Sequence, residues 1–205
     1  MVGRSPKKQS TKGQERAEHL MRVAVDLFAE RGYAAVTIQD ITGHAGVTHS
    51  LVYYHFKNKE ELFNKAVIYL IDNNIRSFQR NLDRHSHPVD LLEDWFDYNI
   101  QHAEVLKKMV KIMFDCAMSD GESPHASGVI KHFYDEEKNI LSKNIAKGIS
   151  MGIFRELDPI NISEFISTHI DGIFYGAWTQ PNFNMEEAMS QMKSVLWSTI
   201  KASEN

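Results

Sequence analysis

The feature that most restricts how this chain can fold is a pair of short amphipathic segments with almost nothing between them. From Thr37 to Gly46 the apolar residues Ile38, Ile41 and Ala45 share one helical face, with a threonine suited to cap the start and a glycine suited to the stop. A third helix starts at Thr48, two residues after Gly46, so the connection has the tightness of a helix-turn-helix. Two such short helices cannot bury their apolar faces alone and need neighbours. One neighbour lies upstream in residues 15–31, where Leu20, Val23, Ala24, Leu27 and Phe28 recur at three-and-four spacing before Gly32. The other opens downstream on Asn58, with Glu61 three residues later as a variant capping box, and runs to about Arg80 through Leu62, Ala66, Tyr69, Leu70 and Ile75.

Beyond Pro88 helical periodicity continues through residues 91–103, 105–118, 129–149, 162–178 and 185–202. Gly121, Pro124, Gly152, Pro159, Pro181 and Asn182 punctuate these stretches, and none alternates with the two-residue period of a half-buried strand. The expected fold is all-α: an N-terminal helix-turn-helix module over residues 14–82, including the start of a long connecting helix, and a C-terminal helical domain over 83–205. Residues 1–13 are rich in Lys, Gln, Ser and Thr and are expected to form a disordered basic arm. Arg4, Lys7, Lys8 and Lys12 stand there, either as a solvated tail or as an arm that reaches a polyanion.

A net charge of -4 argues against a polyanionic partner only while the chain is averaged. Residues 1–85 hold 13 Lys/Arg and 9 Asp/Glu, hence +4, and residues 86–205 hold 10 and 18, hence -8. The basic surface therefore belongs to the N-terminal module. The polar N-terminus lacks an apolar signal core, and no apolar run approaches a membrane span, so a cytoplasmic protein is expected. The single cysteine, Cys116, cannot close an intrachain disulfide. It is either a redox sensor or a small buried hydrophobe beside Met113 and Met118. His85 and His87 flank a serine before Pro88; two histidines without a third ligand do not define a metal site, and no metal or cofactor is expected.

The third helix carries the functional signal. Thr48-His-Ser-Leu-Val-Tyr-Tyr-His55 is too polar and too aromatic for a core helix. Thr and Ser reach base edges or phosphates in a major groove, and Tyr combines a phosphate bond with packing on sugar or thymine methyl. Lys57 and Lys59 follow directly, and Lys59 at the start of the fourth helix is expected to grip a phosphate with help from free backbone N–H groups. For Tyr53, Tyr54 and His55 the alternative is that they complete the small core.

Phe28-Ala-Glu-Arg-Gly-Tyr33, Thr37-Ile-Gln-Asp-Ile41, Ala45-Gly-Val47 and Val52-Tyr-Tyr-His-Phe-Lys-Asn-Lys-Glu-Glu-Leu-Phe63 together resemble the N-terminal signature of TetR-family transcriptional regulators, over about residues 17–65. The resemblance places DNA contacts on Thr37 and Gln39, on Thr48, His49, Ser50, Leu51, Tyr53, Tyr54 and His55 of the recognition helix, and on Lys59. The chain departs from the family pattern at His49 and Ser50, where a basic residue and glycine are common, and at Leu51, where a small polar residue is common. The operator sequence is therefore not transferable, and His49 introduces a weak pH dependence as an open idea.

The resemblance further implies a homodimer held by the last two long helices, and a ligand cavity among the middle ones. Gly172 and Gly176, four apart with Phe174 between them, and the stripe Met189, Met192 and Leu196 are the interface candidates, with plain core as the other reading. Phe96, Tyr98, Met109, Met113, Phe114, Phe133, Phe165, His169 and Trp178 are the candidates for an apolar effector pocket, again with core as the alternative. The expected function is that of a ligand-responsive regulator, a repressor that binds a palindromic double-stranded DNA operator and is released by a small apolar or amphipathic effector. A DNA-binding dimer with a filled C-terminal core and no effector is the second reading. An enzyme ranks last: no phosphate loop, nucleophile elbow or metal constellation is present in the sequence.

Overall fold

The computed structural model describes residues 7–82, 87–118 and 124–202. Among these the backbone forms nine helices, and the one β contact is an isolated antiparallel bridge between Phe154 and Lys201. The fold is all-α, with an N-terminal helix-turn-helix and a C-terminal helical domain. The chain divides into two compact units, residues 1–72 with 112–127 and residues 73–111 with 128–205.

In the first unit α1 (Lys7–Arg31) packs against α2 (Ile38–Ala45) and α3 (His49–His55), and α4 (Lys59–Leu82) supplies its first half. Leu20, Ala24, Leu27 and Phe28 are buried along α1 as its periodicity requires, and Ile41, Val52 and Phe56 are buried from α2, α3 and the turn that follows. Phe28, Phe63 and Tyr33 form an aromatic cluster, Phe28 meeting Phe63 edge-on at 5.0 Å between centroids and Tyr33 lying 4.9 Å from Phe63. Helix α1 starts at Lys7, so residues 7–13, expected in a disordered arm, are helical, whereas residues 1–6 lie outside the described ones. Lys and Gln lose little side-chain freedom in a helix, and extending an existing helix needs no new nucleus.

In the second unit the remainder of α4 joins α5 (Pro88–Gln101), the start of α6 (Ala103–Met118), α7 (Pro124–Ser150), α8 (Pro159–Thr179) and α9 (Met185–Ile200). Pro88 and Pro159 occupy first-turn positions, where a missing N–H costs nothing. Asp158 and Asn184 cap α8 and α9 through bonds from Asn161 N (3.2 Å) and Glu187 N (3.1 Å). No helix among the described residues is long and apolar enough to cross a membrane.

The α8 and α9 stripes read as interface candidates are mostly interior to the single chain. Phe174, Gly176, Met189, Met192 and Leu196 are buried without any partner, while Gly172 is exposed. Helices α8 and α9 pack against each other, and α5 also contacts α9. Gly176 is small for a local reason: a Cβ there would lie 3.1 Å from the Phe183 ring.

Gly148 near the end of α7 is tighter still. A Cβ would fall 2.1 Å from the buried ring of Phe154. Alanine in place of a mid-helix glycine ordinarily stabilises by about 1 kcal/mol. Here the overlap reverses the sign, and Gly148→Ala is expected to lower stability by about 1–3 kcal/mol in chemical denaturation. An unchanged or higher midpoint would show that Phe154 moves aside freely.

Candidate DNA-binding face and effector cavity

Helix α2 is fixed at its start by a complete capping box. The Thr37 hydroxyl donates to the Asp40 carboxylate at 2.5 Å and accepts from Asp40 N at 3.1 Å, and Thr37 N donates back to that carboxylate at 2.8 Å. These bonds hold the Asp40 carboxyl below its usual range. Thr37 is exposed, but its hydroxyl hydrogen is engaged in the cap, so its first role is to orient α2. Gln39, in the first turn of α2, is exposed. Gly46, with φ at +64°, supplies the left-handed residue that ends α2 and lets the chain turn into α3.

On α3 exposure divides cleanly. His49, Ser50, Tyr53 and Tyr54 face solvent, Val52 is buried, and Leu51 and His55 are intermediate. Tyr53 is 55% and Tyr54 80% exposed, so neither completes the core. Positions 49, 50, 53 and 54 form one contiguous stripe at helical spacing, with Thr48 exposed just before it. The Thr48 and Ser50 hydroxyls lie 2.9 Å apart, and Tyr54 meets the His55 ring edge-on at 4.9 Å. Leu51 and His55 sit at the margin of the stripe rather than on it.

Lys59 is placed differently from its expected phosphate grip. Its ammonium donates to the carbonyls of Tyr33 and Val36, both at 2.9 Å, and lies 4.2 Å from the centre of the Tyr33 ring. It ties the start of α4 to the segment between α1 and α2, while the neighbouring Lys57 is exposed. Asn58 caps α4 by accepting from Glu61 N at 2.8 Å, and Glu61 accepts from Lys57 N. Lys59→Met is therefore expected to lower the stability of the first unit by about 2–3 kcal/mol, the range for bonds to a charged group. Unaltered melting together with a loss of DNA affinity would restore the phosphate role.

The second unit contains a partly open pocket with a cavity volume of about 40 Å³. Phe78, Trp95, Tyr98, Phe133 and Phe174 give it an aromatic wall, with Met109, Val110 and Ile170 among the aliphatic lining. Phe78 lies 5.4 Å from Trp95 and 5.6 Å from Tyr98 between ring centres. Of the expected pocket residues, Met109, Phe133 and Tyr98 are in this lining. Phe96 and Met113 are buried outside this lining, Phe165 lies tilted against the exposed His169 ring with centroids 4.1 Å apart, and Trp178 donates its indole N–H to Lys107 O at 2.9 Å. Phe114 is 40% exposed. Those five and Phe114 are corrections: none of them is in the lining. Phe174, expected at an interface, lines it instead.

The sequence reading missed the acids of this cavity. Glu136, Glu137 and Asp171 are in the lining. Ser167 Oγ donates to Glu137 Oε2 and Tyr134 OH to Asp171 Oδ2, each at 2.5 Å. Glu137 is half-buried as a whole residue, and burial of its carboxyl pushes it up to about 8 despite the Ser167 bond. Burial likewise raises Asp171 to about 6, against the opposing effect of the Tyr134 bond. The Tyr134 phenol is raised strongly by burial and by the Asp171 charge. A signal was available: Asp171 interrupts an apolar helix on the face of Ile170 and Phe174, and Glu137 continues the stripe of Phe133 and Leu141.

Among the described residues no cluster of three or more His, Cys, Asp or Glu suits a metal. His87 precedes α5 without a side-chain capping bond, and His85 lies outside the described residues. Burial, and secondarily Asp115, push the Cys116 thiol up to about 11, which disfavours the reactive thiolate.

Comparison with known proteins assigns residues 20–66 to the family described as bacterial regulatory proteins, tetR family. The HTH-type transcriptional repressor KstR2 of Mycolicibacterium smegmatis is 27% identical over 152 residues, 74% of either chain. Among solved structures, a transcriptional regulator of Saccharomonospora viridis in complex with choline matches with a TM-score of 0.83 at 18% identity, covering 93% of this chain and 100% of that one. A complex of SmeT with triclosan matches with a TM-score of 0.75 at 21% identity, covering 92% and 93%.

Proposed function

We propose that this chain, whose residues 20–66 match the TetR family of bacterial regulatory proteins, is a cytoplasmic, ligand-responsive transcriptional repressor, which binds a palindromic DNA operator as a homodimer and releases it on binding a small molecule. The observation that carries the DNA-binding half is the solvent-facing stripe of His49, Ser50, Tyr53 and Tyr54 on a short helix separated from α2 by only three residues. Side chains in that position enter the major groove while the preceding helix crosses the backbone. Exposed Lys57 supplies charge beside it, and Gln39 and Thr48 flank it.

The effector half rests on the cavity. The second reading, a DNA-binding dimer without an effector, calls for a filled apolar core, and a pocket that sets acids among aromatic walls favours the first. Two structurally similar proteins carry small molecules, the Saccharomonospora viridis regulator choline and SmeT triclosan. Helix α4 gives a route for coupling: its first turn follows the recognition helix by three residues, and Asn74, Ile75 and Phe78 further along it line the cavity. An effector that tilts α4 changes the spacing of two recognition helices in a dimer, so that both half-sites are no longer engaged.

For the dimer, the exposed stripe of Thr168, Gly172, Tyr175 and Thr179 on α8, with Val195 on α9, replaces the buried candidates as the partner surface. A small-molecule screen by thermal shift, followed by operator release, tests the whole reading. Ligands that raise the melting temperature and free the DNA are expected, and their effect is to disappear when Phe133→Trp fills the cavity. Release that persists in that variant would place the effector elsewhere.

A further inference from the structure

The cavity has the composition of a cation site rather than of a plain apolar pocket. Its lining contains three carboxylates, Glu136, Glu137 and Asp171, and no lysine, arginine or histidine. Two of these acids are held in place by a hydrogen bond to one oxygen only. Ser167 engages Oε2 of Glu137 and Tyr134 engages Oδ2 of Asp171, while Oε1 and Oδ1 receive no bond from the described residues. Around them stand aromatic rings, whose electron-rich faces attract a cation and whose surface favours apolar substituents. Trp95, in the same wall, has a buried indole N–H with no partner among the described residues.

We infer that the cavity takes an organic cation, an ammonium or quaternary ammonium ion with an apolar substituent, held by Glu137 and Asp171 against the rings of Phe78, Trp95 and Tyr98. The inference rests on the effector reading and names the ligand class for that site. A neutral apolar ligand would leave the carboxylates enclosed beside it, either charged without a counterion or protonated. A cation supplies the missing partner in a low-dielectric site, where such a pairing is worth more than in water.

The titration of the site follows. Empty, the cavity favours protonated acids, since burial raises both Glu137 and Asp171. A bound cation favours the carboxylates, so binding releases protons and strengthens as pH rises through the range of about 6 to about 8. The groups facing the pair are Tyr134, which stays a phenol because its ionisation is pushed up, Ser167, and Glu136 on α7. From α4 and α6 the lining carries nothing titratable, and from α5 only Tyr98.

The test is calorimetric titration of the full chain at pH 6 and pH 8 with choline and benzyltrimethylammonium, against 3,3-dimethylbutan-1-ol, the uncharged isostere of choline. At least one cation is expected to bind about tenfold more tightly at pH 8 than at pH 6, with heats that depend on the ionisation enthalpy of the buffer. Glu137→Gln and Asp171→Asn, near-isosteric and confirmed as folded by their melting, are expected to weaken cation binding about tenfold and to reduce the proton release. The inference is overturned if neither cation binds at millimolar concentration, if the uncharged isostere binds as tightly, or if both variants keep wild-type affinity and pH slope. Binding and DNA release by the uncharged alcohol alone would overturn the cation and leave the effector reading standing. Failure of every small molecule to release DNA from a DNA-competent protein would remove both.

Discussion

Replacing Tyr53 and Tyr54 together by alanine is expected to weaken operator binding by at least about 100-fold, while leaving the melting temperature within a degree or two of wild type, because surface truncations outside a core have little effect on stability. Both rings project from α3 into solvent, at 55% and 80% exposure, so their removal opens no cavity in the helical core. Groove contacts of this kind contribute about 1–3 kcal/mol each, and every tenfold in affinity is about 1.4 kcal/mol, so two side chains per recognition helix suffice for the effect. The single variants separate their roles. Tyr54→Phe keeps the ring and removes the hydroxyl, so a loss confined to that change assigns a phosphate or base hydrogen bond; a loss seen only in Tyr54→Ala assigns packing against sugar or thymine methyl. Unchanged affinity in the double variant would mean that α3 does not enter the groove through this face.

The second large effect is on stability rather than on DNA. Glu137 titrates in the folded protein at about 8 against 4.5 for an ordinary glutamate, so the folded chain holds its proton more tightly than the unfolded chain does. A group raised in this way contributes stability that is fully present below the unfolded value and is lost as pH rises through the folded one. The wild-type protein without ligand should therefore become less stable between pH 5 and pH 8.5, by on the order of 4 kcal/mol if Glu137 acts alone. Asp171, raised to about 6, adds a loss over the lower part of the same window, and the two cannot be summed because they face each other. Glu137→Gln keeps the shape and a donor-acceptor side chain without the titration. Its unfolding free energy, measured by urea denaturation across that range, should lose most of the slope and exceed wild type at pH 8.5. Parallel profiles for variant and wild type would show that the Glu137 carboxyl is hydrated in solution.

The N-terminal module was legible in the sequence because its signals are local. Caps at Thr37 and Asn58, the turn glycine Gly46 and the α1 stripe each follow from a few adjacent residues, and all appear where expected. The bonds of Lys59 were not legible, since its partners, Tyr33 O and Val36 O, lie 26 and 23 residues away and no local pattern announces them. In the second unit the helices were legible and their faces were not. Phe174, Met189, Met192 and Leu196 mark apolar surface, but whether it meets the same chain or another depends on tertiary packing. Periodicity also favoured hydrophobic candidates for the cavity and passed over Glu137, which sits within the charged run from Asp135 to Lys138 and reads as solvated until Phe133 and Leu141 are aligned with it.

The central claim is that this chain reads DNA through α3, and its most direct test is selection from a random double-stranded library by the purified protein. The account predicts enrichment of an inverted repeat whose half-site centres lie about one helical turn or a multiple of it apart, bound by two chains. It also predicts that the Tyr53→Ala, Tyr54→Ala double variant enriches nothing from the same library. Recovery of no common sequence by the wild-type protein, or recovery of the same repeat by the double variant, would contradict it.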